Sequence, residues 1–255
     1  MMFKQVKTAQ LAQFNSDASC TLIQILQNAV TQDIQEQVSR PKPKAFAPSA
    51  IRCKRKSWFR LRGAAADKLP EPDAVMDFTA MIGTAIHKYV QSKLSKALGA
   101  EWIEVEDYLR EFPIPYKYSL TKTKYETQVS IFDPPIKFAC DGIIKIRGVY
   151  YLLEIKSSDY ESWRNLAVSK EHHLDQIETY STILNIPHVL TLYVDRVYGG
   201  MKAYEHTISE DTMCGVRQNM AYVKQMADAC IAPERLPAGD YMCVNCEYKL
   251  KCKEW

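Results

Sequence analysis

The 255-residue chain has no apolar run near the roughly 18 residues that a spanning helix needs, so no membrane partner is expected. Its opening stretch, MMFKQVKTAQLAQF, lacks the continuous apolar segment of a secretory signal, which points to a cytoplasmic, reducing setting. There is no GxxxxGK[ST] phosphate loop, so any motor activity would have to come from a partner. Internal repeats and low-complexity tracts are absent as well. A strong overall charge is also missing: at +3 the chain has no global field that would demand a nucleic acid. With 47% hydrophobic and 25% charged residues it reads as one large globular domain, or a core with appendages.

The charge that is present is uneven. Arg52, Lys54, Arg55, Lys56, Arg60 and Arg62 crowd one segment that also carries Trp58 and Phe59. Alone this reads equally as a solvated helix face; beside a phosphodiester site it becomes a backbone-binding stripe with a stacking ring.

Periodicity predicts an amphipathic helix over residues 19–38, closed by the Pro41-Lys-Pro43-Lys linker, so residues 1–46 form an appendage and 47–255 the main domain. A second helix is expected to open at Pro48-Ser49 and to hold Cys53 and the basic cluster. A proline- and acid-rich loop covers 69–77, and a helix runs from about Thr79 to Leu98 with Ile82, Ile86, Tyr89, Val90 and Leu94 as its stripe. Strands are expected at 127–131, 136–146 and 149–156, a helix over 170–184, and a strand over 188–195. A Gly199-Gly200 hairpin then leads into 201–208, and a last helix capped by Ser209 extends to about Cys230.

The most informative stretch runs from Asp141 to Lys156, two apolar runs around Arg147-Gly148. A two-residue hairpin loop there pairs Ile146 with Val149 and sets Asp141 opposite Glu154. Facing side chains have Cβ atoms roughly 4.5–5.5 Å apart, where like charges repel. A hard divalent cation between them resolves that repulsion. Lys156 shares the Glu154 face, where it can steer a water and offset phosphate charge, or form a salt bridge to Glu154 or Asp141. The Ile155 side chain faces a core, while its carbonyl lies near the same edge. His87 is an additional ligand or an ordinary packed histidine. Gln176 and Tyr180 flank the stripe of their helix as supports for the lysine or a phosphate, or as polar residues at a core margin.

The order GxxxH (Gly83 to His87), Asp141, ExK (Glu154 to Lys156) and QxxxY (Gln176 to Tyr180) resembles the RecB-like branch of the PD-(D/E)XK nucleases over about residues 47–255. Cys140 stands where the superfamily name has proline. The resemblance implies an α/β, restriction-endonuclease-like core, a central mixed β-sheet flanked by helices. It implies one or two Mg²⁺ or Mn²⁺ ions held by His87, Asp141, Glu154 and the Ile155 carbonyl. Lys156 then assists the water, while Gln176 and Tyr180 support lysine and substrate. The nucleic-acid contacts would come from Arg52, Lys54, Arg55, Lys56, Trp58 and Arg60.

Cys243-Val-Asn-Cys246 followed by Cys252 gives CxxCx5C, a metal-ligand spacing short of one ligand, with Cys53 the best fourth. One cysteine before the nuclease motifs and three after resembles the iron–sulfur subgroup of the family, which includes CRISPR-associated adaptation nucleases and AddB-type domains. That resemblance implies a [4Fe–4S] cluster on Cys53, Cys243, Cys246 and Cys252, with structural Zn²⁺ as the rival, closing the C-terminal tail onto an N-terminal helix. Cys20, Cys140, Cys214 and Cys230 are expected to be buried non-ligands. The resulting expectation is a metal-dependent DNA exonuclease for single strands or ends, in recombination, repair or replication, with a helicase, recombinase or integrase as possible partner. The alternatives are a CRISPR adaptation nuclease that trims spacer precursors and a DNA-binding scaffold with a vestigial site.

Overall fold

The computed structural model describes residues 17–39, 42–67, 74–123, 126–237, 239–244 and 246–254. In chain order the helices are α1 (Asp17–Ser39), α2 (Lys54–Leu61), α3 (Ala74–Leu98), α4 (Val105–Glu111), α5 (Tyr160–Arg164), α6 (Glu171–Leu184), α7 (Glu210–Asp228) and α8 (Lys251–Glu254). The strands are β1 (Trp102–Ile103), β2 (Tyr118–Lys122), β3 (Thr127–Phe132), β4 (Pro135–Phe138), β5 (Gly142–Ile146), β6 (Val149–Ser158), β7 (His188–Asp195) and β8 (Met201–Thr207). Among the described residues, no helix is long and apolar enough to cross a membrane.

Two compact units are distinguished. One comprises Met1–Pro41 with Leu69–Met81, and in it α1 leaves Leu22, Ile25 and Leu26 exposed. The other comprises Lys42–Lys68 with Ile82–Trp255 and carries both sheets. Phe46, assigned by sequence to the appendage, is buried in the larger unit's core and bridges in parallel to Ile136. That unit therefore starts at Lys42.

The larger unit is built on a mixed five-stranded sheet, ordered β1-β5-β6-β7-β8, in which only β6 and β7 run parallel. The β6–β7 connection passes through α5 and α6, as a parallel pair requires. On one face Leu153, Ile155 and Val194 pack with Ile86, Val90 and Leu94 of α3. On the other, Leu152 joins Ile177, Tyr180, Ile183 and Leu184 of α6. Burial on both faces accounts for the nearly unbroken apolar run of β6. This is the expected α/β class, a central mixed sheet flanked by helices.

The Arg147-Gly148 turn is the two-residue hairpin expected, with both residues at positive φ (51° and 84°) and Ile146 facing Val149. The expected single strand over 136–146 is instead two: β4 belongs to a separate antiparallel sheet β2-β3-β4, β5 to the central one, and residues 139–141 carry the chain between them. Cys53 does not lie within a helix. A short 3₁₀ turn covers Pro48–Ala50, and Cys53 caps α2, its Sγ accepting the Lys56 N–H at 3.4 Å. The Ser209 cap is as expected, accepting from the Thr212 N–H at 3.1 Å.

Candidate active site

The regular β5–β6 ladder ends at Gly142 facing Leu153. Asp141 therefore does not complete a ladder pair with Glu154; it bends out of the strand. Its Oδ2 takes the Ile155 N–H at 2.6 Å, so the carboxylate replaces a backbone acceptor at the sheet edge. A strand residue points its N–H and C=O to the same edge, so the Ile155 carbonyl also faces the Asp141 side. Gly142, the first residue of β5, leaves room for the Trp102 ring, since a Cβ there would stand 2.6 Å from it.

His87 reaches the same carboxylate from α3, Nδ1 to Oδ1 at 3.0 Å. Gly83, one turn earlier, makes this approach possible, because a Cβ at Gly83 would already lie 3.1 Å from Ser157 Oγ at the end of β6. One turn later Gln91, missed in the sequence, is buried and donates Nε2 to the Asp141 carbonyl at 2.9 Å. Its i+4 spacing from His87 is the signal that could have found it. Its Oε1 is a buried acceptor without a protein partner among the described residues.

On the opposite sheet face, Lys156 Nζ lies 2.6 Å from Glu154 Oε1 and donates to Gln176 Oε1 at 2.9 Å. Gln176 in turn donates Nε2 to the Tyr180 hydroxyl at 2.6 Å. Tyr180 is not at a margin; it is core, stacked on Phe138 with centroids 5.2 Å apart, and burial pushes its phenol well up, so it stays neutral. The side chains form two bonded groups, His87 with Asp141 and Glu154 with Lys156, Gln176 and Tyr180, coupled through the charges of Asp141 and His87 acting on Glu154. Glu154 is only 3% exposed. Burial first, then the Asp141 charge, raise its carboxyl to about 7, with Lys156 and His87 pulling the other way. At His87 burial alone would lower the pKa, but the hydrogen bond and charge of Asp141 outweigh it and the net shift is upward.

Among the described residues, no three His, Cys, Asp or Glu side chains converge as a ready-made metal-holding group. The donor chemistry nevertheless fits a hard cation: two buried carboxylates repel each other, and burial together with the Asp141 charge raises the Glu154 carboxyl in spite of Lys156 beside it. Asp141 occupies His87 Nδ1, which leaves Nε2 as the ring atom for an ion.

Among the described residues no three of the four cysteines expected as ligands converge as a ready-made metal-holding group, yet all four line the same cavity. Cys53, Cys243, Cys246 and Cys252 line one cavity of about 420 Å³, together with Arg55, Lys56, Arg235, Lys249 and Lys253. Burial, with a smaller contribution from the three neighbouring cysteines, raises the Cys53 thiol to about 11. All four are free thiols. Of the basic residues in this lining, Lys56 is paired with Glu247 and Arg55 with backbone carbonyls. The expectation of four buried bystanders fails in part: Cys140 is buried, but Cys20 and Cys214 are half-buried and Cys230 is exposed.

The basic cluster does not form the expected nucleic-acid stripe. Trp58 is buried and donates its indole N–H to the Met226 carbonyl at 3.1 Å, so no base can reach its face. Arg55, also buried, donates to the carbonyls of Pro233 (2.7 Å) and Cys252 (3.3 Å). Lys56 and Arg60 both pair with Glu247, at 3.0 and 3.5 Å, and Arg52 pairs with Glu171 and Asp240. Lys54 remains exposed, its ammonium 5.3 Å from the Tyr222 ring. The cluster ties α2 to the C-terminal segment.

No family model and no curated protein matches the chain. Among solved structures, SSO0001 is similar at TM-score 0.51 and 16% identity over 91% of this chain and 97% of its own, a likeness of fold. An alkaline exonuclease, LHK-Exo from Laribacter hongkongensis, gives TM-score 0.42 and 12% identity over 76% of this chain and 93% of its own. Its complex with dAMP gives 0.43 and 12%, over 73% and 89%.

Proposed function

We propose that the protein is a metal-dependent nuclease that hydrolyses DNA phosphodiester bonds, acting on single strands or free ends. One observation carries this reading: two buried carboxylates, Asp141 and Glu154, act on each other through their charge, and Glu154 holds a lysine that is itself pinned by Gln176. A structural ion pair does not need a second buried carboxylate, because like charges out of water are costly unless a cation joins them. His87, Asp141, Glu154 and the Ile155 carbonyl would hold one or two Mg²⁺ or Mn²⁺ ions, which stabilise charge on the phosphate oxygens and lower the pKa of the attacking water.

The chain's own residues then have distinct tasks. Lys156 holds an ammonium at the reacting phosphate and can orient the water. Gln176, itself bonded to Tyr180, gives the Lys156 ammonium a second anchor beside Glu154. Ile155 and Gln91 hold Asp141 from its side chain and its backbone, limiting reorganisation during turnover.

We further propose that Cys53, Cys243, Cys246 and Cys252 hold a [4Fe–4S] cluster, a reading supported by the single cavity that all four line. The cluster would hold the C-terminal segment to α2 within one catalytic domain.

The test is digestion of single strands labelled at either end, with Mg²⁺ or Mn²⁺. Lys156→Ala and Asp141→Ala should each lower kcat by about 10²–10³, the scale of removing one preorganised charge-stabilising group. Undiminished cleavage by both variants would overturn the site. Protein purified without oxygen should be brown and contain iron; colourless protein with stoichiometric zinc would overturn the cluster.

A further inference from the structure

With Trp58 and the basic cluster spent on internal contacts, a different surface offers rings and cations together. β6 ends two residues beyond Lys156, at Ser158, which faces Asp195 at the end of β7. At about 3.3 Å per strand residue, this point lies roughly 7 Å along β6 from Lys156. From it rise α5 and the β7–β8 turn, carrying Tyr160, Trp163 and Tyr198. Tyr160 and Trp163 are nearly parallel, with centroids 6.3 Å apart, and Tyr198 meets Tyr160 edge-on at 5.0 Å. Tyr198 is 76% exposed and Tyr160 39%, with Val197 and Met201 exposed beside them.

Exposed rings on a mobile loop would signify little, but the backbone that carries these is pinned. The buried Asp195 carboxylate accepts the N–H groups of Val197 (2.9 Å) and Tyr198 (3.1 Å), and the Arg196 N–H bonds to the Ser158 carbonyl at 2.9 Å. Lys202 donates to the carbonyls of Trp163, Arg164 and Leu166 at 2.8–3.0 Å and lies 4.7 Å from the Trp163 ring centroid. Gly200 packs directly on that ring, where a Cβ would come within 2.8 Å. Asp159, which caps α5 by accepting the Ser162 N–H, and Glu161 are acidic neighbours. Against them stand Arg164, Arg196 and Lys202. Neither Arg164 nor Arg196 forms a salt bridge among the described residues.

We infer that Tyr160, Trp163 and Tyr198, flanked by Arg164 and Arg196, are a stacking platform for unpaired bases of a single DNA strand led toward Lys156. The inference rests on the nuclease reading for its direction, and it names the form of substrate. Aromatic faces accept any base once it is unstacked, whereas a duplex keeps its base faces covered, and the arginines supply the backbone contacts. A protein partner would use the same apolar side chains without regard to bases.

The test uses the full chain carrying Lys156→Ala, so that bound strands stay intact, with a fluorescein-labelled 12-nucleotide strand and anisotropy as the readout. Adding Tyr198→Ala should weaken binding about 5- to 100-fold, and Tyr160→Ala with Tyr198→Ala more, while Tyr198→Phe keeps wild-type affinity. An abasic strand of the same length and charge should bind the Tyr198→Ala and Tyr198 forms equally. Unchanged affinity for the base-containing strand, or an equal loss on the abasic one, overturns the platform. So does a change of sedimentation mass in place of a change in strand binding, which marks a protein interface. Absence of cleavage by the unsubstituted chain sinks the nuclease reading and leaves these binding results standing. Cleavage by the unsubstituted chain together with unaltered binding in the variants sinks the platform alone.

Discussion

Acidification should weaken this fold through one histidine, and the geometry sets the size of the effect. His173 Nδ1 lies 2.7 Å from the Tyr193 hydroxyl, which already accepts the Lys170 N–H at 3.1 Å. With Nδ1 bare, the hydroxyl can accept from Lys170 and donate to the ring at the same time. Burial first, then the charges of Lys156, His172 and Lys170, hold the imidazole down to about 3. A histidine with its folded pKa below the unfolded 6.5 contributes stability that is complete above pH 6.5 and is lost as pH falls toward 3. At pH 5 the ideal loss is about 2 kcal/mol, at 1.36 kcal/mol per pH unit. His173 is partly exposed, and solvent screening brings this to about 1 kcal/mol. Urea unfolding at pH 7.5 and pH 5.0 measures it. His173→Gln keeps an acceptor for Tyr193 but cannot titrate, so wild type should lose about 1 kcal/mol more than the variant on acidification. Parallel losses in the two proteins would refute the assignment of this histidine as a neutral acceptor.

Trp58→Ala should cost about 3–5 kcal/mol in urea unfolding, since a buried ring and its hydrogen bond to Met226 are removed together; a stable variant with weakened DNA binding would restore the stacking role. Gly83→Val should cut cleavage by at least about tenfold while the chain stays folded by circular dichroism, because a side chain there forces α3 off Ser157 and takes His87 from Asp141. Unaltered turnover would show that the close approach is not needed. Cys53→Ser should lower bound iron and the thermal midpoint together, and full iron content in that variant would remove Cys53 from the ligand set. Mg²⁺ at 100 times its Kd should stabilise the wild type by about 2.7 kcal/mol and Asp141→Ala much less; equal stabilisation of both would place the ion elsewhere.

The central hairpin is legible in the sequence because its information is local. A two-residue turn and the period-two alternation of a strand fix which side chains face each other, and Ile146 does face Val149. The same logic fails further along, at Asp141. Pairing rules extend a ladder until something stops it, and here the stop is a carboxylate that takes the Ile155 N–H in place of a strand partner. The expected strand over 136–146 breaks for a related reason: two apolar runs read alike whether or not they belong to one sheet, and β4 and β5 do not.

The aromatic residues show most clearly where sequence reading runs out. Trp58 sits among six basic residues and Trp163 beside one arginine, so local composition favours Trp58 as the nucleic-acid contact. What decides the matter is remote in the chain. Glu247 neutralises Lys56 and Arg60, and the Met226, Pro233 and Cys252 carbonyls absorb the Trp58 and Arg55 donors. Each of these partners lies well over a hundred residues along the chain. A basic run is available to DNA only if the rest of the chain has not already claimed it, because a cation paired at the surface of its own fold has no counterions left to release. Around Trp163 the order is reversed: Lys202 and Gly200 hold the ring from within, while Tyr160 and Tyr198 stay open to solvent beside the strand that carries Lys156.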